Sequence, residues 1–157
     1  MYERILVPLD GSKVGEAALP LVEELVSKLS PELKAEVTLL QVLSPTYYFV
    51  AGEGSAAVPY TEIEIEQIKN RAMGYLDKVG EGLRNKGAIV ECKVGVGKAA
   101  EEIIKTTDEI DIGLVVMLTH GRSGLSQWAF GSVTAKVLRG GHRPVLMVRA
   151  PEETEQE

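Results

Sequence analysis

The chain has little cysteine and little histidine. Its 157 residues include one cysteine, Cys92, and two histidines, His120 and His142. A single cysteine cannot close an intramolecular disulfide, and these three side chains do not have the spacing of zinc ligands. We therefore expect neither a disulfide framework nor a zinc site, and the cysteine content favours a reducing cytoplasm.

Basic clusters and membrane-length apolar segments are also missing. The formal net charge is -6, whereas proteins that bind nucleic acid concentrate lysine and arginine on one surface. No apolar run approaches the roughly twenty residues that span a bilayer, and residues 1–4 lead directly into a short strand-like run. We expect a cytoplasmic protein that binds neither nucleic acid nor membrane, and whose partners are small molecules or other proteins.

The chain does contain enough apolar residues for one core. Hydrophobic residues make up 45% of the sequence, and a chain of this length ordinarily forms a single domain. We predict one domain over residues 1–150, followed by a disordered acidic tail over 151–157.

Short apolar runs alternate with stretches of helical periodicity, which predicts a parallel sheet with helices on both faces. The five predicted strands are 5–9, 37–43, 88–94, 112–118 and 144–148. The four predicted helices are 13–29, 61–86, 98–106 and 132–139. Pro20 should kink the first helix or displace its start. Residues 44–60 are predicted to form a long mobile loop.

The most informative segment follows the fourth predicted strand. Residues 119–132 contain three glycines, and Gly131-Ser132 opens a predicted helix. Glycine permits tight turns, and the free amides at a helix N-terminus attract anions. The segment therefore indicates a phosphate site and makes a nucleotide the first ligand to consider, although glycines between a strand and a helix are also common as simple turns.

Three segments together resemble the universal stress protein family. They are Pro8-Leu9-Asp10-Gly11-Ser12, Gln41-Val42, and His120-Gly121 followed after nine intervening residues by Gly131-Ser132. The resemblance covers nearly the whole chain. It implies a Rossmann-like fold of the adenine nucleotide alpha hydrolase type, with sheet order 3-2-1-4-5. That order places the ends of strands one and four side by side at the topological switch point, where open α/β sheets bind ligands.

The ATP-binding members of that family carry the signature Gly-x2-Gly-x9-Gly-Ser/Thr. Its second and third elements correspond to Gly121 and to Gly131 with Ser132, whereas its first glycine corresponds to Leu118. Backbone lies close to the nucleotide at that position, so a leucine side chain would crowd the ribose or the phosphates.

The resemblance also implies a role for each part of the site. The backbone of Val42 would meet adenine, and the amides at 121–122 and 131–133 would surround the phosphates. A carboxylate repels phosphate, so Asp10 would act through a ribose hydroxyl or a phosphate-bound magnesium ion. The implied site residues are Pro8, Asp10, Val42, Met117, His120, Gly121, Arg122, Gly131, Ser132 and Val133.

Two other local patterns do not match the motifs they approach. A P-loop ending at Gly97-Lys98 would need a glycine in place of Cys92 and a hydroxyl in place of Ala99. The segment ending in Asp10-Gly11-Ser12 lacks the paired glycines of a pyrophosphatase loop, which disfavours AMP-forming chemistry.

Three functions follow as alternatives. The first is an ATP-binding protein of stress response or signalling that works as a homodimer, paired through the predicted edge strand 144–148 and acting on an unidentified protein partner. The second is a dimeric interaction module that binds no nucleotide because of Leu118. The third is a slow ATPase or autophosphorylating protein, but no general base or activated nucleophile is evident, so we assign no catalytic residue.

Overall fold

A five-stranded parallel sheet forms the centre of the molecule. The computed structural model describes residues 2–29, 32–44, 47–50, 56–119 and 131–149. Its strands are β1 (Arg4–Leu9), β2 (Glu36–Leu43), β3 (Tyr47–Val50), β4 (Ala56–Pro59), β5 (Ile89–Val96), β6 (Leu114–Leu118) and β7 (Val145–Val148). The tail predicted at 151–157 lies outside the described residues.

The order of the sheet is β5-β2-β1-β6-β7, and every neighbouring pair is parallel. With the separate β3–β4 pair left out, this is the order 3-2-1-4-5, so the predicted fold is confirmed. The central strand β1 lies between β2 and β6, with Ile5 opposite both Val37 and Leu114. Parallel strands covered on both faces read as continuous apolar runs, which is why Ile5, Leu6 and Val7 follow one another.

In the described part of the chain five α-helices connect the strands, and a short 3₁₀ helix (Gly15–Ala18) precedes the first of them. They are α1 (Leu19–Lys28), α2 (Glu62–Val79), α3 (Glu81–Asn85), α4 (Ala99–Glu109) and α5 (Ser132–Gly140). Pro20 lies in the first turn of α1, so it displaces the start of the helix rather than kinking it. Gly87, which follows the end of α3, has φ +91°, a conformation that favours glycine.

The helix predicted at 61–86 is divided at Gly80. A Cβ atom at this position would lie 3.0 Å from Val90 Cγ1 and 3.3 Å from Leu39 Cδ1. The backbone therefore passes so close to the sheet that a side chain would have little room, and this packing is invisible in the apolar periodicity of the helix.

The prediction of a loop at 44–60 is wrong for part of that segment. Strands β3 and β4 pair antiparallel, with Tyr47 opposite Pro59 and Val50 opposite Ala56. The run Tyr-Tyr-Phe-Val consists of residue types enriched in strands, and the loop prediction gave more weight to the glycines that follow it.

The sheet separates two apolar cores. One core contains Val7, Leu39 and Leu118 and packs beneath α1, α2 and α3, whereas the other contains Leu6 and Met117 and packs beneath α4 and α5. Successive side chains of a strand point to opposite faces, so Met117 and Leu118 belong to different cores. Among the described helices, none is long and apolar enough to cross a membrane.

A capping box begins α2. Thr61 Oγ1 accepts a hydrogen bond from Glu64 N at 3.3 Å, and Glu64 Oε2 accepts one from Thr61 N at 2.8 Å. The Thr61 hydroxyl also donates to Glu64 Oε2, at 2.8 Å, and the bonds from the Thr61 backbone N–H and hydroxyl to this carboxylate hold the pKa of Glu64 below its usual value. We expect Thr61→Ala to lower the free energy of unfolding by about 1 kcal/mol in urea denaturation. Thr61→Ser keeps the acceptor, so an equal loss in that variant would contradict the role of the cap.

Candidate functional site

A cleft of about 270 Å³ opens at the carboxyl ends of the central strands. Its walls come from the ends of β1, β2 and β6 and from the first turns of α4 and α5. This is the switch point of the sheet, because the chain leaves β1 towards β2 on one side and reaches β6 on the other. The lining residues are Pro8, Leu9, Asp10, Gly15, Leu40, Val42, Ala99, Ile103, Met117, Leu118, Gly131, Ser132, Val133 and Thr134.

Most of the site residues expected from the sequence are brought together here. The seven that line the cleft are Pro8, Asp10, Val42, Met117, Gly131, Ser132 and Val133. The other three, His120, Gly121 and Arg122, lie outside the described residues. The sequence reasoning missed the wall that α4 contributes through Ala99 and Ile103. The sequence feature that could have revealed this wall is the turn at Gly97, because α4 begins just after it at the same edge of the sheet.

The cleft differs in polarity between its two ends. Towards β2 and α4 the lining side chains are aliphatic, those of Leu40, Val42, Ala99 and Ile103. Towards β1 and β6 the lining brings Asp10 and the residues that begin α5 together with the apolar side chains of Pro8, Leu9, Met117 and Leu118. An apolar slot that opens onto polar groups suits a ligand with a flat organic part and a charged part.

The Asp10 carboxylate is held in a turn directly after β1. Its Oδ1 atom accepts hydrogen bonds from Ser12 N at 2.9 Å and from Ser12 Oγ at 2.5 Å. Ser12 Oγ in turn accepts a bond from Gly15 N at 3.0 Å. Gly11 has φ +79°, a conformation that glycine adopts without strain. The turn therefore fixes the position of the carboxylate at the mouth of the cleft.

Gly15 leaves the space that this carboxylate occupies. A Cβ atom on Gly15 would lie 2.6 Å from Asp10 Oδ1 and 3.2 Å from Ser12 Oγ. Any larger residue at this position must therefore push the carboxylate out of its hydrogen-bonded position, so the two residues form one structural unit.

The described side chains of the cleft do not form a metal site by themselves, without a bound small molecule. Among the described residues there is no group of three or more His, Cys, Asp or Glu side chains placed to hold a metal ion. One oxygen of Asp10 is already engaged by Ser12. Magnesium binds proteins through one or two carboxylates together with substrate phosphates and water. Asp10 could therefore bind magnesium only together with a bound phosphate, which would supply further oxygen ligands.

The N-terminus of α5 presents backbone donors to the cleft. The first intrahelical bond runs from Ala135 N to Gly131 O at 2.9 Å, so the N–H groups of Ser132, Val133 and Thr134 precede it. The sequence-based expectation for Gly131 needs correction, because its amide donates to Thr119 O at 2.8 Å. That hydrogen bond connects the residue before segment 120–130 with the residue after it.

The Leu118 side chain is buried in the core, although this position corresponds to a glycine that lies close to the nucleotide in the family signature. It is 8% exposed and belongs to the core under α1, α2 and α3, opposite to the face of Met117. Its carbonyl accepts a hydrogen bond from Thr134 Oγ1 at 2.9 Å, within a buried environment. This hydrogen bond connects the end of β6 to the first turn of α5. Most of the Leu118 side chain is buried in the core.

Cys92 lies on β5 and does not line the cleft. Burial raises the pKa of its thiol; Asp77 acts in the same direction, whereas the Arg84 guanidinium opposes it. The thiol is therefore protonated at neutral pH, and it has no access to a ligand in the cleft.

Comparison with known proteins agrees with this architecture. The model of the Universal stress protein family matches residues 1–149. Universal stress protein MJ0531 of Methanocaldococcus jannaschii is 30% identical, covering 96% of this chain and 84% of the relative. Universal stress protein MJ0577 of the same organism is also 30% identical, covering 95% of this chain and 96% of the relative.

Solved structures share the fold over almost the full length. The structure of MJ0577 superposes with a TM-score of 0.73 at 26% identity, covering 98% of this chain and 99% of that one. A universal stress protein of Archaeoglobus fulgidus in complex with dAMP gives 0.60 at 20% identity, with 92% and 95% covered. A family protein of Arabidopsis thaliana with AMP bound gives 0.62 at 15% identity, with 98% and 95% covered. From the matching family model, the two relatives and the shared fold, this chain belongs to the universal stress protein family.

Proposed function

We propose that this protein binds ATP in the cleft at the switch point and acts in stress response or signalling in the cytoplasm as a nucleotide-bound homodimer. The observation that carries the proposal is the polarity of the cleft, which is apolar towards Val42 and which, at Ser132 and Val133, is lined by residues whose backbone N–H groups precede the first intrahelical bond of α5. The bound dAMP and AMP of the two related structures support an adenine nucleotide as the ligand.

In this proposal the nucleotide lies across the strand ends. The base occupies the apolar end, against Val42 and Ile103, while Pro8 and Met117 line the part of the cleft nearer the ribose and the phosphates. Asp10 meets a ribose hydroxyl or, when magnesium accompanies the phosphates, that ion. The phosphates lie at the N-terminus of α5, where N–H groups that make no intrahelical bond and the helix dipole favour negative charge. We further propose that His120, Gly121 and Arg122 complete the phosphate site, as the family signature implies.

The edge of the sheet is the proposed dimer surface. Strand β7 is paired with β6 on one side and is the last strand of the sheet. A second cleft, of about 400 Å³, lies next to it and is lined mainly by apolar residues that include Leu29, Val145 and Leu146. An unpaired apolar edge favours pairing with a second copy of the chain. Sedimentation equilibrium of the purified protein tests this assembly.

A dimeric module that binds no nucleotide remains the second candidate, and one observation favours it. Leu118 occupies the position of the first signature glycine and contributes to the lining of the cleft. If its side chain blocks the nucleotide, the stripped protein will show no binding and a smaller residue will restore it.

ATP binding is tested by titration calorimetry on protein stripped of small molecules, with and without magnesium. We expect saturable binding at one site per chain, and ATP among the molecules released by denaturation of the untreated protein. Ala99→Trp places a large ring in the apolar end and should lower the affinity by about tenfold. Ile63→Trp is the matched control, because Ile63 is 73% exposed on α2 and does not line the cleft. Equal affinity in the two variants would place ATP elsewhere, and no binding at millimolar ATP would overturn the proposal.

A further inference from the structure

Strand β5 forms the edge of the sheet opposite to β7. It pairs with β2 over its whole length, from Ile89 opposite Glu36 to Val96 opposite Leu43, and no other strand of the described ranges pairs with it. It has eight residues, whereas β7 has four. Two of its apolar side chains are exposed, Ile89 at 48% and Val96 at 41%. A long edge strand with exposed apolar side chains favours pairing with a further strand.

The hydrogen bonds to β2 show which backbone groups of β5 face outwards. Ile89 N donates to Ala35 O at 2.8 Å, and Gly97 N, directly after the strand, donates to Leu43 O at 2.9 Å. Along a parallel strand, residues that bond to one neighbour alternate with residues that point away from it. The odd-numbered residues of β5 therefore bond to β2, and the even-numbered residues present their N–H and C=O groups to the free edge. These outward-facing residues are Val90, Cys92, Val94 and Val96.

Glu91 and Lys93 are the two charged residues of this strand. They lie two positions apart, so their side chains are on the same face of the sheet. Glu91 is exposed and Lys93 is half-buried. Neither side chain makes an ion pair or a hydrogen bond with another part of the chain that the structure describes. Each charge is therefore available to a group of opposite sign on a second strand.

These charges limit how two copies of β5 can pair. Like charges directly opposite each other destabilise a strand pair, and opposite charges stabilise it. In an antiparallel pair, a two-fold axis at Glu91 would oppose the two carboxylates, and an axis at Lys93 would oppose the two ammonium groups. An axis at Cys92 places Glu91 of each copy opposite Lys93 of the other. All three registers bring the outward backbone groups together, so the charges favour the one centred on Cys92.

We propose that two copies of the chain pair through β5, antiparallel about a two-fold axis at Cys92. In this register the outward N–H and C=O groups of the two copies exchange hydrogen bonds. Glu91 and Lys93 then form the pairs without backbone hydrogen bonds, where opposite side chains lie closest. The contact uses the same surface of both copies, so it closes with two chains. It lies at the edge opposite to β7 and does not depend on nucleotide binding, so it goes beyond the proposed function.

Charge reversal tests the register. Glu91→Lys opposes lysines at two places in the pair, and Lys93→Glu opposes carboxylates there. Each variant should lower the dimer association constant by about tenfold in sedimentation equilibrium. The variant with both substitutions exchanges the signs and restores both pairs, so its constant should return to within about threefold of wild type. Glu66→Lys is the control for net charge, because Glu66 is 65% exposed on α2, outside the sheet, and it should leave the constant unchanged.

Hydrogen exchange followed by NMR gives a second readout at the backbone. The amides of Val90, Cys92 and Val94 face the free edge, so pairing should protect them from exchange. We expect them to exchange at least about tenfold more slowly in wild type than in Glu91→Lys at the same concentration, where fewer chains are paired. The amide of Lys93 bonds to β2 with or without a second copy, so its exchange should change less.

The outcomes distinguish the two edges of the sheet. A wild-type dimer whose association constant is unchanged in both single variants overturns this pairing and leaves the proposed dimer at β7. A double variant as weak as the single variants also overturns it, because general damage to the strand then explains the losses. A chain that stays monomeric overturns both pairings. An assembly of more than two copies that the single variants reduce to a dimer supports this pairing together with that at β7.

Discussion

Replacing Leu118 with alanine is expected to lower the free energy of unfolding by about 2–5 kcal/mol, which is the range for removing a buried leucine side chain. Leu118 is 8% exposed, and its neighbours in the core are themselves fully packed, as Val7 and Val116 at 0% exposure show. The space left by the side chain therefore cannot be filled without moving the sheet or α1. Urea denaturation followed by circular dichroism measures the loss.

The same variant decides whether Leu118 obstructs the cleft. Because the leucine bulk is packed on the face opposite to Met117, we expect the ATP affinity of folded Leu118→Ala to remain within about threefold of wild type. Leu39→Ala is the matched control, since Leu39 lies in the same core, is 0% exposed and does not line the cleft. It should cost a similar amount of stability. A gain of about tenfold or more in Leu118→Ala alone would favour the nucleotide-free module.

Ser132→Pro is expected to lower the affinity for ATP by about tenfold to hundredfold, the value of one hydrogen bond to a charged group. Ser132 is the first residue of α5, and its N–H precedes the first intrahelical bond. Proline is favoured at this helical position because its missing N–H makes no intrahelical bond. Gly131 has ψ 153°, the extended conformation that a residue before proline adopts. The variant should therefore fold normally and lack one donor.

Ser132→Ala is the control for this experiment. It keeps the backbone N–H and removes the hydroxyl alone, so we expect a loss of about threefold, typical of a neutral hydrogen bond. Calorimetry with ATP gives the affinities, and thermal unfolding without ligand establishes that both variants fold. If proline costs no more than alanine, the phosphates are not held by this amide.

The fold was accessible from sequence because its strands are apolar runs bounded by turn residues. The run ending at Leu9 is followed by Asp10-Gly11-Ser12, and the observed strand ends at Leu9. Each of the five predicted sheet strands is present, with ends shifted by at most two residues. Their order came from the family resemblance rather than from periodicity, since an apolar run does not specify its neighbours in the sheet.

What the sequence did not reveal depends on contacts between distant segments. The lack of room for a side chain at Gly80 depends on Val90 and Leu39, neither of which is near it in the chain. The engagement of the Gly131 amide depends on Thr119, across the glycine-rich segment. The contribution of α4 to the cleft depends on which helix lies over the switch point. Helical periodicity shows which face of a helix is buried and does not show what it is buried against.

Thr119 connects the proposed dimer edge at β7 to the cleft through two backbone hydrogen bonds. Its N–H donates to Val148 O on β7 at 2.9 Å, while its carbonyl accepts from Gly131 N at the cleft. The two hydrogen bonds are made by the two peptide units that flank the Cα atom of Thr119, so a displacement of either partner acts on the backbone of this one residue. If nucleotide binding changes the dimer association constant by some factor, dimer formation must change the nucleotide affinity by that same factor. The occupancy of the cleft would then depend on the concentration of the protein as well as on that of the nucleotide.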